Sequence, residues 1–187
     1  MSKTLLFGGS GFFGPVILSK DSRIISVGRT KPPKECLNKH IQMNSLDELS
    51  KLDNVEFDKV IFLIGSSNHH EINKVTDMGI DLNVYPLNKA LSYFSKRNLK
   101  KFICFTTILL YDQKFFSIPV NEDQKINPYI NKYVFSKYLS EQVVNFFSTS
   151  VPSIIIRLSN IYGYTRLKRP DLIPTIMQDI FEKKEAT

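Results

Sequence analysis

No run in this 187-residue sequence approaches the roughly 18 consecutive apolar residues that a membrane span requires, so no membrane partner is expected. The first 14 residues hold too short an apolar segment for a secretory signal, and the expected compartment is the cytoplasm. Cysteine is scarce. Cys36 and Cys104 stand far apart without metal-ligand spacing, which excludes a disulfide framework, and Cys104 lies inside an apolar run where a buried thiol is the default. His69-His70-Glu71 lacks the spacing of a helical zinc motif and reads as a polar loop, so no metal is expected. The formal charge of +7 comes from 25 Lys and Arg against 18 Asp and Glu, but the lysines form no tract. No nucleic-acid recognition motif accompanies them, which leaves a solvated basic surface that suits small anionic ligands. Internal repeats and low-complexity segments are also missing, and 42% hydrophobic residues fit one globular domain.

What the sequence does contain begins with TLLFGGSGFFG at residues 4–14. Gly8, Gly11 and Gly14 follow an apolar run and precede a second apolar stretch that can open a helix. In a strand–turn–helix unit of this kind one glycine makes the turn, one lets backbone approach a pyrophosphate, and one lets helix pack on strand. Further short apolar or β-branched runs occupy residues 24–27, 60–64, 102–106 and 153–158. Amphipathic stretches at 46–52, 81–97 and 129–148 lie between them. Strands apolar on both faces that alternate with helices predict an α/β fold, a doubly wound parallel sheet covered on two sides.

The last amphipathic stretch has readable ends, with Asn127-Pro128 offering an N-cap and a first-turn proline, and Val151-Pro152 closing the far side. Inside it Tyr133 and Lys137 stand four residues apart, hence on one helical face. Taken alone, such a pair reads as a core aromatic and a snorkelling amine.

The pair is not alone. KFICFTTILLYD, NPYINKYVFSK and IIIRLSNIYG follow the glycine turn in the order and spacing of the extended short-chain dehydrogenase/reductases, and the chain resembles their nucleotide-sugar branch over nearly its whole length. The resemblance implies a Rossmann fold, a nicotinamide dinucleotide and a nucleotide-sugar substrate. It assigns catalysis to Thr107, Tyr133 and Lys137. Hydride transfer at a carbinol or ketone needs a proton moved at the oxygen, and a tyrosine of ordinary pKa about 10 does this when a neighbouring ammonium favours the phenolate. By the same resemblance Gly8, Ser10, Gly11, Phe12, Phe13, Gly14, Arg29, Asn44, Ile64, Gly65, Lys137 and Leu158 hold the cofactor, while Asn160 and Arg166 touch the substrate.

Departures from the family pattern sharpen this reading. Gly28 stands where an acid normally grips the adenosine ribose, and Arg29 follows it, which suits the 2′-phosphate of NADP, with NAD as the alternative. Asn44 replaces an aspartate near adenine, and Gly65-Ser66-Ser67 replaces small apolar residues. Ile108, Leu109 and Leu110 stand where dehydratases of the family carry an acid pair and decarboxylases a glutamate, which leaves reduction or epimerisation. Thr107 tilts the choice to keto-sugar reduction. Asn83 matches an asparagine of the family's fourth helix, or is plain helical surface.

Residues 1–165 are expected to form the dinucleotide-binding domain and 166–187 the start of a substrate lobe that is largely missing. Tyr138, Val144, Phe147, Leu87, Leu91 and Phe94 are expected to pair two copies through the helices carrying Tyr133 and Asn83, giving a homodimer. The competing functional class is a dinucleotide-binding regulatory module without turnover, and a hydrophobic-alcohol dehydrogenase is a third.

Overall fold

The computed structural model describes residues 3–75, 77–115, 119–163 and 172–183. Six parallel strands form one sheet: β1 (Thr4–Phe7), β2 (Ile25–Gly28), β3 (His40–Gln42), β4 (Lys59–Phe62), β5 (Lys101–Thr107) and β6 (Ser153–Leu158), in the spatial order β3-β2-β1-β4-β5-β6. Leu5 stands opposite Ile25 on one side and Val60 on the other, so the sheet grows outward from β1 in both directions. This is the doubly wound arrangement expected from the alternating pattern. β3 had no sequence signal: three residues with one apolar side chain make no recognisable run, and pairing with β2 alone defines it.

Strand alternation sorts the core. Leu5, Phe7, Val27, Val60, Phe62 and Phe102 face the helices α3 (Tyr85–Phe94) and α4 (Lys132–Phe146), whereas Leu6 faces the other way, onto Leu18 of α1 (Gly14–Lys20). Phe94 anchors the larger cluster, its ring about 6 Å from those of Phe7, Phe57 and Phe102. Leu87, Leu91, Phe94 and Val144 are buried here and Phe147 packs against them, while Tyr138 packs on a smaller cluster around Tyr133. Leu87, Leu91, Phe94 and Val144 are therefore core residues of one molecule, whereas Tyr138 and Phe147 are only partly buried. Cover on two sides is incomplete at β6, where Ile154 and Ile156 remain exposed.

Two helix ends differ from expectation. Asn131, not Asn127, caps α4, accepting from the amide of Val134 at 2.9 Å. Asn127 instead forms an Asx turn to the Tyr129 amide, because Pro128 restricts it to extended backbone. The 81–97 stretch divides into a π-helical turn, Ile80–Val84, and α3. Pro86 cannot donate to Leu82 and its ring crowds that carbonyl, so the turn before it widens. His69-His70-Glu71 is helical, opening α2 (His69–Lys74) under a cap from Asn68. No helix among the described residues is long and apolar enough to cross a membrane.

Candidate active site

The carboxyl ends of β1, β4, β5 and β6 open onto a cavity of about 770 Å³. β1 and β4 are neighbours, but the chain leaves β1 for β2 and returns to β4 only after β3, so the connections on either side diverge and leave a crevice between them. Gly8, Gly11, Phe12 and Phe13 line it from the glycine turn, Ile64 and Gly65 from the end of β4, and Thr107 from the end of β5. Tyr133 and Lys137 enter from α4, Leu158 from the end of β6 and Asn160 from just beyond it. Ser10 belongs to the same turn and Gly14 opens α1, neither of them lining the cavity. Gly8 has φ +85, a backbone region disfavoured for other residues, and the Gly11 amide donates to its carbonyl at 3.0 Å to close the turn. A Cβ on Gly14 would stand 2.1 Å from the Gly9 carbonyl oxygen, so only glycine lets α1 start against the turn.

Arg29 and Asn44 sit apart from that cavity, past the ends of β2 and β3. The amide nitrogen of Gln42 joins them, donating to the Arg29 carbonyl at 2.6 Å and to Asn44 Oδ1 at 3.1 Å. The Arg29 side chain is exposed. Arg166 lies outside the described residues.

The catalytic candidates come together. Thr107 is buried and its Oγ1 accepts from the Leu109 amide at 3.2 Å, which fixes its rotamer and leaves its own proton to donate. Tyr133 is buried against Ile72, Leu110 and Val134, and its backbone amide donates to Asn73 Oδ1 at 3.0 Å. Lys137 Nζ lies 5.8 Å from the centre of the Tyr133 ring and donates to Asn83 Oδ1 at 3.2 Å.

Asn83 is no surface residue. It is 4% exposed, and its Oδ1 also accepts from the Ser66 amide at 2.7 Å while its Nδ2 donates to Ser136 Oγ at 3.0 Å. One amide thus ties the loop after β4 to the helix carrying Tyr133 and Lys137, and it holds the lysine ammonium in place. Ser66 takes part through its backbone amide, and its Oγ accepts from the Asn68 amide at 3.2 Å.

Burial lowers the Lys137 pKa from 10.5 to about 8. For a base whose folded pKa is depressed, charging in the folded state carries its full cost below the folded pKa, and that cost fades as pH rises toward the unfolded value. Lys137→Met removes it and leaves Asn83 Oδ1 bonded to Ser66. The variant is expected to gain stability on the order of 3 kcal/mol below about pH 8, with the gain shrinking toward pH 10.5 in paired thermal melts. A difference independent of pH would contradict the assignment.

Two features of the site were not foreseen. His69, the first residue of α2, lines the cavity with its ring centre 6.0 Å from that of Tyr133. Glu141, one turn beyond Lys137 and buried, accepts from Thr106 Oγ1 at 2.7 Å and from both Nε and Nη2 of Arg157 at 2.9 and 2.8 Å. The carboxylate holds the Arg157 guanidinium above its ordinary pKa. A charged glutamate inside a helix and an arginine inside IIIRLS were the available signals, and neither names its partner. Cys104 is a buried thiol as expected, its pKa pushed up to about 12 by burial.

The sequence profile of the NAD dependent epimerase/dehydratase family matches residues 4–187. The chain belongs to that family. Among solved structures, a UDP-glucose 4-epimerase is similar with a TM-score of 0.80 at 19% identity, matching 98% of this chain and 62% of its own. The UDP-glucuronic acid 4-epimerase of Bacillus cereus, crystallised with UDP-glucuronic acid and NAD, gives 0.78 at 19% identity, with 96% and 63% matched. The UDP-Glc/GlcNAc 4-epimerase of Campylobacter jejuni gives 0.72 at 22% identity, with 84% and 53% matched. This family member thus spans less than two thirds of the length of those structures. No curated protein matches its sequence. The family's nicotinamide dinucleotide fits the residues present, since the cavity runs from a side-chain-free turn at Gly8 and Gly11 to the hydroxyl, phenol and ammonium of Thr107, Tyr133 and Lys137.

Proposed function

We propose that the chain binds a nicotinamide dinucleotide and exchanges hydride at a carbinol or ketone carbon of a nucleotide sugar, with reduction of a keto sugar favoured over epimerisation. The observation that carries this reading is that Thr107, Tyr133 and Lys137 share one cavity with the glycine turn. The similar 4-epimerases support the substrate class. The dinucleotide, when bound, supplies the hydride. Tyr133 gives its phenolic proton to the sugar oxygen as the carbonyl is reduced, and Lys137 stabilises the phenolate left behind. Thr107 donates to the same oxygen and orients it. Lys137, held by Asn83, would also hold the nicotinamide ribose when the dinucleotide is bound. Ile108, Leu109 and Leu110 offer no second acid or base, which supports neither dehydration nor decarboxylation.

NADP is the preferred form, because Gly28 leaves space at the end of β2 and the exposed Arg29 beside it supplies a guanidinium for a 2′-phosphate. The test is cofactor fluorescence with a nucleoside diphosphate keto sugar added to protein loaded with NADPH or NADH. Net oxidation of the cofactor supports reduction, and interconversion of epimers without net oxidation replaces it with epimerisation. Binding without either outcome overturns catalysis in favour of a binding module. NADPH is expected to bind about tenfold tighter than NADH, a preference that Arg29→Ala removes, since a charge-assisted contact contributes about 1.5–3 kcal/mol.

A further inference from the structure

Reduction of a ketone consumes a proton as well as a hydride. If Tyr133 gives that proton to the sugar oxygen, each turnover leaves a phenolate that must regain a proton from water before the next. Tyr133 is only 6% exposed and packs with Ile72, Leu110 and Val134. Its recharging therefore calls for a carrier that meets both the phenol and the solvent. Among the described residues lining the cavity, the titratable side chains are His69, Tyr133, Lys137 and Tyr162. Lys137 is a poor carrier, because its ammonium stabilises the phenolate and handing over a proton removes that charge. Tyr162 is another phenol and brings no group that exchanges protons more readily than Tyr133 does.

His69 meets both requirements. Imidazole is the side chain that takes up and releases protons around neutral pH. The His69 ring centre lies 6.0 Å from that of Tyr133, and the residue lines the same cavity while remaining exposed. Its imidazole enters no hydrogen bond or ion pair among the described residues, so neither nitrogen is committed elsewhere. Its place beside the phenol is also fixed. The helix that begins at His69 holds Tyr133 twice, through Ile72 in the same apolar cluster and through Asn73 Oδ1, which accepts from the Tyr133 amide at 3.0 Å. His70, the next residue, is exposed but does not line the cavity. We infer that His69 is the proton entry of the site: its imidazolium returns a proton, through one water, to the Tyr133 phenolate left by hydride transfer. An N–H bond of the imidazolium breaks as the O–H bond of Tyr133 reforms, and the neutral imidazole then takes a proton from bulk solvent, so each ketone reduced draws one proton from the medium. The inference rests on the keto-sugar reduction proposed above and deepens it.

The test follows NADPH oxidation in a stopped-flow instrument, with NADPH and a nucleoside diphosphate keto sugar both in excess over the chain. The first turnover uses the proton already on Tyr133, and later turnovers need the relay. In His69→Gln the ratio of steady-state to first-turnover rate is expected to fall by about 10²-fold, the low end for a positioned proton carrier. Imidazole added to the medium is expected to restore the ratio, and His70→Gln to keep the parental one. A ratio unmoved in His69→Gln overturns the relay and leaves hydride exchange standing. A fallen ratio that imidazole does not restore also overturns it, because that marks a change in the shape of the cavity. A second readout needs no cofactor. The ring protons of His69, assigned in NMR spectra by their loss in His69→Gln, are expected to shift at alkaline pH as the Tyr133 phenol ionises, a step that Tyr133→Phe abolishes. Identical titrations in the parent and Tyr133→Phe overturn the pairing of imidazole with phenol. If the parent interconverts epimers without net oxidation, or oxidises no NADPH, the reduction reading falls and the relay falls with it.

Discussion

Tyr133→Phe is expected to lower turnover of a nucleotide keto sugar by about 10²- to 10⁴-fold, the usual contribution of a positioned proton donor, while leaving dinucleotide affinity within about twofold. The reasoning is local. The substitution removes one oxygen from a ring that is buried against Ile72, Leu110 and Val134, so packing survives. Asn73 holds the residue through its backbone amide, a bond that phenylalanine also makes. Lys137 keeps its bond to Asn83. What disappears is the proton that must reach the carbonyl oxygen as hydride arrives. The measurement is single-turnover oxidation of NADPH together with a fluorescence titration of the cofactor. A variant that remains active would move the acid elsewhere, with His69 next in line because its ring lies beside that of Tyr133. A variant that loses cofactor affinity instead would make Tyr133 a binding residue. His69→Gln separates these outcomes, since it alters one candidate donor without entering the Tyr133 cluster.

Most of this site was legible because its chemistry and its fold use the same short stretches of chain. A glycine turn after an apolar run is visible in sequence since φ +85 at Gly8 is strained for other residues and only glycine permits the approach of α1 at Gly14. Tyr133 and Lys137 were visible because helical periodicity alone puts them on one face. What escaped depends on contacts between distant segments. Asn83 leaves two readings open, a family asparagine or helical surface, and its burial comes from α4 packing across it, 53 residues later in sequence at Ser136. His69 reads as loop, since nothing local signals that Asn68 caps a helix there. β3 has too few residues to carry a pattern, and it exists only through β2. Leu87, Leu91 and Phe94, expected to pair two copies, are core residues of one molecule for a related reason. A stripe of apolar residues on a helix states that the face is covered, and the covering sheet was underestimated.

Glu141→Ala is expected to destabilise the chain by about 3 kcal/mol, because it leaves the Arg157 guanidinium largely buried with no counter-charge. The carboxylate is nearly inaccessible and accepts three hydrogen bonds, from Thr106 and twice from Arg157, so no water can take its place cheaply. Arg157 has a second contact, its guanidinium lying 4.9 Å from the centre of the Tyr111 ring, and one edge reaches solvent, which keeps the loss at the low end for buried pairs. Replacing both partners separates charge from packing: Glu141→Leu with Arg157→Met is expected to recover most of the loss, since apolar groups of similar size need no partners. Urea denaturation of the three proteins gives the comparison, and an Ala variant as stable as the parent would show that the pair contributes nothing. The pair also couples fold to chemistry. It fastens α4 one turn beyond Lys137 to β5 at the residue before Thr107, so the distance between the threonine hydroxyl and the tyrosine phenol depends on it. The double variant is therefore expected to be stable yet slower, by about tenfold in kcat with KM for the dinucleotide unchanged, because a small misplacement at the reacting atoms costs rate without touching the glycine turn. A double variant with parental kcat would confine Glu141 and Arg157 to stability alone.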